Sequence, residues 1–487
     1  MTWHFDNSYF RDLERFYAPW EPERPPSPSL LIWNAPLALR LGLEPSDHEF
    51  GDLTNELSGA TLPAGAEPIA LAYAGHQFGH FSPQLGDGRA LLLGEQIAPD
   101  GERFDIQLKG SGRTPFSRSG DGKYALAPAL REHLVSEAMA ALGVPTSRSL
   151  AVTLTGEKVQ RSELQPGAVL TRVARSHIRV GTFQFFAAHL GAEFVKRLAD
   201  YAIARHYPEA ATARNPYLAF FEAVMDAQIR LVAAWIQVGF VHGVMNTDNV
   251  AISGETIDFG PCAFVDAYSS KAVFSSIDEH GRYAFGNQPH ICRWNLLQLG
   301  SALAEVIGAI DPDDIDRLNT LLDGFAERYQ AVWLDGIRAK LGFGTAHRDD
   351  LELANRLFAI MEGQGVDYTG FFRSLALVVD SDSGPIAEQF TDEAPITAWI
   401  KDWQKRLEAD PMPVAARVAA MNAVNPLYIP RNHKVEEALE AATGGDMQPY
   451  RTLLEVVTHP FDERSDWEAY ARPAPESNGR YVTFCGT

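Results

Sequence analysis

Cysteine is scarce in this sequence: Cys262, Cys292 and Cys485 are the only three among 487 residues. Three scattered thiols supply neither a disulfide framework nor a four-thiolate zinc site, so a packed core must hold the fold, and a reducing compartment is expected. Long apolar runs are missing too. No stretch reaches the roughly 18 uninterrupted apolar residues of a membrane span, and His4, Asp6, Arg11, Asp12, Glu14 and Arg15 occupy the place of a signal peptide's apolar segment. A cytoplasmic chain without a membrane partner is therefore expected. Basic residues are also in deficit: 42 Lys and Arg against 63 Asp and Glu leave a net charge of −21, which repels phosphate polymers and argues against nucleic acid as a partner. What remains is an average globular composition, 46% hydrophobic and 22% charged, sufficient for two or three structural units of about 150 residues each.

Four stretches follow one another. Residues 1–60 are aromatic and Pro-rich, with a helical patch at Ala35 to Leu43, and read as a wrapping extension. Residues 61–180 carry the short apolar runs IALAYA, RALLLGEQI and RFDIQLKG, with APDGE (Ala98 to Glu102) as a hairpin turn. A helix over Ala127 to Leu142 and the strands SLAVTL and AVLTRVA complete an order of three strands, helix, two strands. Residues 181–380 are α-rich, with helical periodicity near 183–206, 217–238, 293–308 and 313–341. The acidic, Gly- and Pro-broken run Asp380 to Pro395 reads as a linker or exposed loop. Residues 381–487 form a helical extension ending in an exposed tail, SNGRYVTFCGT. The fold class expected is α+β.

The densest chemistry lies in VHGVMNTDNVAISGETIDFG (Val241 to Gly260). His242, Asn249 seven positions on, and Asp258-Phe259-Gly260 reproduce the spacing of the H-x-D-x-x-x-x-N and D-F-G elements of kinase-like folds. An amide oxygen and a carboxylate at that spacing suit a divalent cation bridging nucleotide phosphates. Upstream, Lys109 ends a strand and Glu132 lies early in the next helix, a pair suited to fixing a phosphate-binding ammonium. In QLGDGRA (Gln84 to Ala90), Gly86 and Gly88 let backbone amides approach phosphate, with Arg89 beside them.

Against the overall acidity, Lys109, Arg113, Arg118, Lys123 and Arg131 share their segment with the single acid Asp121, and Arg172, Arg175 and Arg179 continue the trend. Cations thus gather on sequence expected to line a cleft, as a triphosphate requires. One departure matters. Val244 stands where a phosphotransferase carries the Asp that handles the acceptor hydroxyl. Asp248 is the nearest replacement base, or else a cap of the NTDN turn.

With these residues in view, the chain resembles the selenoprotein O family, pseudokinase protein adenylyltransferases. The resemblance runs through NSYFRDLERFY, YAGHQFGHFSPQLGDGRA, LKGSGRTPFSRSGDGKYAL, HGVMNTDN and IDFGP. It implies a protein-kinase-like two-lobed fold holding ATP flipped, so that AMP passes to Ser, Thr or Tyr hydroxyls of protein substrates and pyrophosphate leaves. Matched positions are Gly86, Gly88, Arg89, Lys109, Asp121, Gly122, Arg172 and Arg179 for ATP, and Asn249 and Asp258 for Mg2+ or Mn2+. Asp248 matches the proton acceptor and Glu132 the partner of the lysine. Cys485 stands where some members carry selenocysteine and reads as a redox-active thiol, with a disulfide to Cys262 or Cys292 left open. Two alternatives stay beside this reading: a kinase-like phosphotransferase, and an ATP-binding pseudokinase scaffold.

Overall fold

The computed structural model describes residues 2–44, 50–161, 163–381, 384–475 and 481–483. Cys485 lies outside the described residues. Ten strands precede the helical half: β1 (Tyr17–Pro19), β2 (Ser29–Trp33), β3 (Ile69–Leu71), β4 (Gly75–Gln77), β5 (His80–Ser82), β6 (Ala90–Ile97), β7 (Arg103–Lys109), β8 (Tyr124–Ala125), β9 (Arg148–Gln160) and β10 (Leu164–Ala174). Eight of them form one sheet in the order β1-β3-β6-β7-β10-β9-β2, with β8 joined to β10, and all neighbours are antiparallel. The β6–β7 hairpin turns at Ala98 to Glu102, as its residues predict, with Gly101 at φ 85°. The sheet is larger than the sequence reading because residues 1–60 supply β1 and β2 at its opposite edges, where they cover exposed ladders.

The first helices are α1 (Ser8–Asp12), α2 (Ala35–Arg40), α3 (Phe50–Ser58) and α4 (Leu126–Ala141). Residues of α2 and α3 pack on one face of the sheet, against Phe104, Ile106 and Leu108 of β7. On the opposite face lies α4, backed by the C-terminal helices Asn432–Thr443 and Gln448–Val457 through Leu130, Leu134, Val435, Leu439 and Leu453. The Tyr450 hydroxyl donates to the Leu130 carbonyl (3.0 Å) and meets His133 Nδ1 (2.9 Å). The C-terminal extension therefore braces α4 from behind.

Beyond β10 the described chain is mostly helical, beginning with α5 (Val180–His189), α6 (Ala192–His206), α7 (Pro216–Val238) and α8 (Gln288–Ile310), with the stretch 239–287, which holds no α-helix, between α7 and α8. The order of sheet, one helix, sheet, then helices is α+β and protein-kinase-like. Among the described residues no helix is long and apolar enough to cross a membrane. Four expectations change. The run 183–206 is two helices because Gly191 takes φ 84°, a conformation only glycine adopts cheaply. The run 313–341 divides at Gly324 into Asp314–Asp323 and Phe325–Lys340. The expected linker holds the short helix Gly384–Ala387 and the start of Glu393–Glu408, whose Trp399 and Trp403 are fully buried. Of the tail, expected to be exposed, the described Thr483 is buried and bonded to the body: its N–H donates to Phe274 O (2.8 Å), its carbonyl accepts from Ser276 N–H (2.9 Å), and its hydroxyl donates to Pro261 O (2.8 Å).

The N-terminal extension is anchored by Phe16, fully buried, with its ring 3.9 Å from that of Phe186. Truncating such a ring costs about 3–5 kcal/mol. Phe16→Ala should lower the melting temperature and open the extension to protease; wild-type melting and wild-type digestion would contradict this anchoring role.

Candidate active site

Period-two alternation places Asp105, Gln107 and Lys109 of β7 opposite its apolar residues, on the face of the sheet that α4 covers. Lys109 Nζ lies 2.6 Å from Glu132 Oε2 and 2.9 Å from Asp258 Oδ1. Tyr124 donates its hydroxyl to the same Glu132 oxygen (2.8 Å). Arg172, opposite Gln107 in the β7–β10 ladder, donates from Nη1 to Asp258 Oδ1 (2.7 Å) and Glu132 Oε1 (3.2 Å), and from Nε to Gln107 Oε1 (3.0 Å). Arg179, just before α5, stacks on the Tyr73 ring (4.4 Å) and lies 3.8 Å from Asp258 Oδ2 and 3.7 Å from Asp87 Oδ1. Three strand or helix termini thus converge three cations on one carboxylate.

Asp258 has φ 62°, a left-handed conformation that costs a non-glycine residue about 1–2 kcal/mol. The following Phe259 is fully buried, which offsets that cost by locking the turn. Burial opposes ionisation of Asp258, but the charges of Lys109, Arg172 and Arg179 outweigh it and hold its pKa well below the usual carboxylate range. His242 is buried, its Nε2 2.9 Å from the Ile257 carbonyl, and tethers this segment to the loop before Asn249. Asn249 donates its amide to the Val244 carbonyl (3.0 Å), leaving its amide oxygen as the atom available to a ligand. Among the described residues no group of three or more His, Cys, Asp or Glu is arranged to hold a metal. Asn249 and Asp258, the two residues expected to hold a metal, line the same cleft.

Asp248 sits beside them, 9% exposed, and burial raises its pKa to about 6. The β4–β5 hairpin presses on it. His76 N–H donates to Thr247 Oγ1 (2.7 Å) and Phe78 N–H to Asn246 Oδ1 (3.1 Å), while a Cβ at Gly75 would stand 2.3 Å from Asp248 Oδ1. Glycine is required there by that close approach.

Tyr73, Lys109, Tyr124, Arg172, Arg179, Asp248, Asn249 and Asp258 line a cleft of about 1410 Å3, together with Gly86, Gly88, Arg89, Asp121 and Gly122, whereas Glu132 is buried and does not line it. Their parts differ from expectation in detail. The amides of Asp87 and Gly88 are already bonded to Leu71 O (2.9 Å) and Gly86 O (2.9 Å), and the glycines instead admit Phe116, which a Cβ at Gly86 would meet at 2.4 Å. This loop also brings Arg89 into the cleft, stacked 4.8 Å from the Tyr124 ring. Asp121 pairs with Arg161 (2.8 Å) at the outer end of the cleft. Gly122, at φ 71°, closes on Gly112 so tightly that a Cβ would reach Gly112 O at 2.1 Å. Arg118, Lys123 and Arg131 line the cleft, but the side chains of Arg113 and Arg175 are exposed outside it. Asp87, Gln107, Tyr73 and Arg161 were not singled out from the sequence as site residues. Cys262 and Cys292 are buried free thiols.

Residues 1–458 match the family model described as Protein adenylyltransferase SelO. The chain belongs to the SelO family. A relative from Sphingopyxis alaskensis named "Protein nucleotidyltransferase YdiU" is 55% identical over 487 residues, covering 100% of both chains. Relatives of the same name from Cereibacter sphaeroides and Rhodopseudomonas palustris are 56% and 54% identical, again over 100% of both chains. SelO membership makes this an enzyme of the nucleotidyltransferase class, for which ATP is the implied substrate. Among solved structures, ROP2 from Toxoplasma gondii, "a virulence factor with a protein-kinase fold and no enzymatic activity", matches with a TM-score of 0.29 and 12% identity. It covers 68% of this chain and 94% of that one, and at such a score it carries no argument.

A raised carboxylate pKa has a stability consequence. Between pH 4 and 6 the folded, ligand-free protein holds a proton on Asp248 that the unfolded chain has lost, so this group's contribution declines as pH rises through that window. Above it the ionised form costs about 3 kcal/mol. Asp248→Asn should therefore be the more stable protein by ~1–3 kcal/mol at pH 7.5 and show a flatter dependence between pH 4 and 6. A destabilised variant with unchanged pH dependence would contradict the burial argument.

Proposed function

We propose that this chain transfers AMP from ATP to Ser, Thr or Tyr hydroxyls of proteins and releases pyrophosphate, in a two-lobed pseudokinase cleft divided near residue 180. The observation that carries this reading is the convergence of Lys109, Arg172 and Arg179 around Asp258, at distances of 2.7–3.8 Å, in a cleft whose kinase base position holds Val244. A departing pyrophosphate builds up more charge than a phosphoryl acceptor needs, and three fixed cations suit it. In this reading the triphosphate enters first and the nucleoside points outward, towards Gly122, Asp121 and Arg161.

Each residue then has a task. Lys109 and Arg172 exchange the Asp258 carboxylate for phosphate oxygens, and Arg179 and Arg89 hold the remaining charge. Asn249 and Asp258 would hold Mg2+ or Mn2+, which supplies neutralisation of phosphate charge when bound. Asp248 accepts the acceptor hydroxyl's proton as its oxygen bonds to the α-phosphorus and the bond to the bridging oxygen breaks. Glu132 keeps Lys109 aimed through their ion pair. We place this activity in the cytoplasm.

Incubation with ATP labelled in turn at the α- and γ-phosphates distinguishes the reactions. Label should reach protein from the α position alone, and Asp258→Ala should lower its incorporation at least a hundredfold. Incorporation from the γ position alone would establish a phosphotransferase instead, and ATP binding without any incorporation a scaffold.

A further inference from the structure

A central strand with three alternate polar residues on one buried face is costly unless each is satisfied. In β7, Lys109 is satisfied by Glu132 and Asp258. Asp105 accepts from His177 N–H (2.8 Å) and Arg205 Nη2 (2.6 Å), and His177 in turn offers its carbonyl to Arg179 Nη1 (3.1 Å). Between them, Gln107 is fully buried and does not line the cleft. Its Oε1 accepts from both Nε (3.0 Å) and Nη2 of Arg172, while its Nε2 donates to Asp87 Oδ2 (3.0 Å). Asp87, 2% exposed, also accepts from Leu71 N–H (3.3 Å) and lies 3.7 Å from Arg179. One amide thus links both arginines, the first directly and the second through Asp87.

We propose that Gln107 is a positioning residue for the nucleotide phosphates, a neutral bridge that aims Arg172 and Arg179 into the cleft without adding charge to their surroundings. This rests on the ATP reading above and names how its phosphate site is held. Charge is what makes the amide specific. Lys109, Arg172 and Arg179 are balanced in this cluster by Glu132, Asp258 and Asp87, so its formal sum is zero. A glutamate at 107 has the same shape, but its carboxylate would take Arg172 as its own counter-ion, oppose Asp87 oxygen to oxygen, and leave the cluster negative in front of a polyanion. Methionine has nearly the same volume, loses the hydrogen bonds and adds no charge.

The two substitutions therefore separate electrostatic positioning from mere packing. If Gln107 only fills space and gives Arg172 an acceptor, glutamate is the milder change, because it keeps that acceptor. If it positions the cations for phosphate, glutamate is the more severe.

Equilibrium dialysis of the full-length chain with labelled ATP and Mg2+ reads this directly, alongside KM and kcat for AMP transfer and a thermal melt. Gln107→Glu should weaken ATP binding at least tenfold, and by more than Gln107→Met, while melting no lower than the methionine variant. The double variant Asp87→Asn with Gln107→Glu exchanges amide and carboxylate, restores the charge sum, and should recover most of the lost affinity even if the single glutamate variant folds poorly. ATP binding by Gln107→Glu within twofold of wild type, a methionine variant weaker than the glutamate one, or a double variant no better than a folded single would each overturn the proposal. Wild-type protein that binds ATP without transferring α-label would overturn the functional reading and leave this comparison of affinities standing.

Discussion

Under the proposed function, everything in the cleft depends on an exchange of counter-ions. Lys109, Arg172 and Arg179 are almost completely withdrawn from water, and cations so placed are stable because Glu132, Asp258 and Asp87 stand within 2.6–3.8 Å of them. Asp258 is the only one of these three carboxylates with appreciable exposure, its side chain 24% accessible against 1% for Glu132 and Asp87. It is therefore the partner that an incoming phosphate can replace, while Glu132 stays. In that proposal, the carboxylate that pairs with these cations becomes available to a metal ion once phosphate has taken its place.

The fold serves that exchange. β7 brings the lysine, β10 brings Arg172 into register with Gln107, and the start of α5 brings Arg179. α4 holds Glu132 against them and is itself pinned from behind by the helices Asn432–Thr443 and Gln448–Val457. Residues 1–60 complete the sheet at both edges, so the small N-terminal sheet is not left to hold three buried cations alone. The described tail residues Tyr481 to Thr483 line the same cleft, which ties the chain's last described segment to its centre.

Legibility in the sequence followed the range of the interactions. D-F-G, the lysine at a strand end, the helix glutamate and the hairpin at Ala98 to Glu102 are local signals, and the elements bearing them lie where their spacing puts them. Gln107 and Asp87 were invisible because their meaning comes from a ladder partner 65 residues away and a loop 20 residues away. Nothing in RFDIQLK says which face of the strand is buried against cations. Arg175 was misjudged for a related reason: β10 ends at Ala174, and the next side chain leaves the face that Arg172 shares. The tail was misjudged because three hydrogen bonds to a distant segment leave no trace in local periodicity. Gly75 shows the opposite case: its place in a quoted motif was visible, but the reason, Asp248 pressed against its Cα, was not.

The most direct measurement is a crystal structure with a non-hydrolysable ATP analogue and Mg2+. The account predicts the β- and γ-phosphates on Lys109, Arg172 and Arg179, Asp258 turned from those cations to the metal, and the adenine at the outer end beside Asp121 and Gly122. An adenine seated at the buried end, with the triphosphate pointing outward and the Asp258 ion pairs intact, would contradict it.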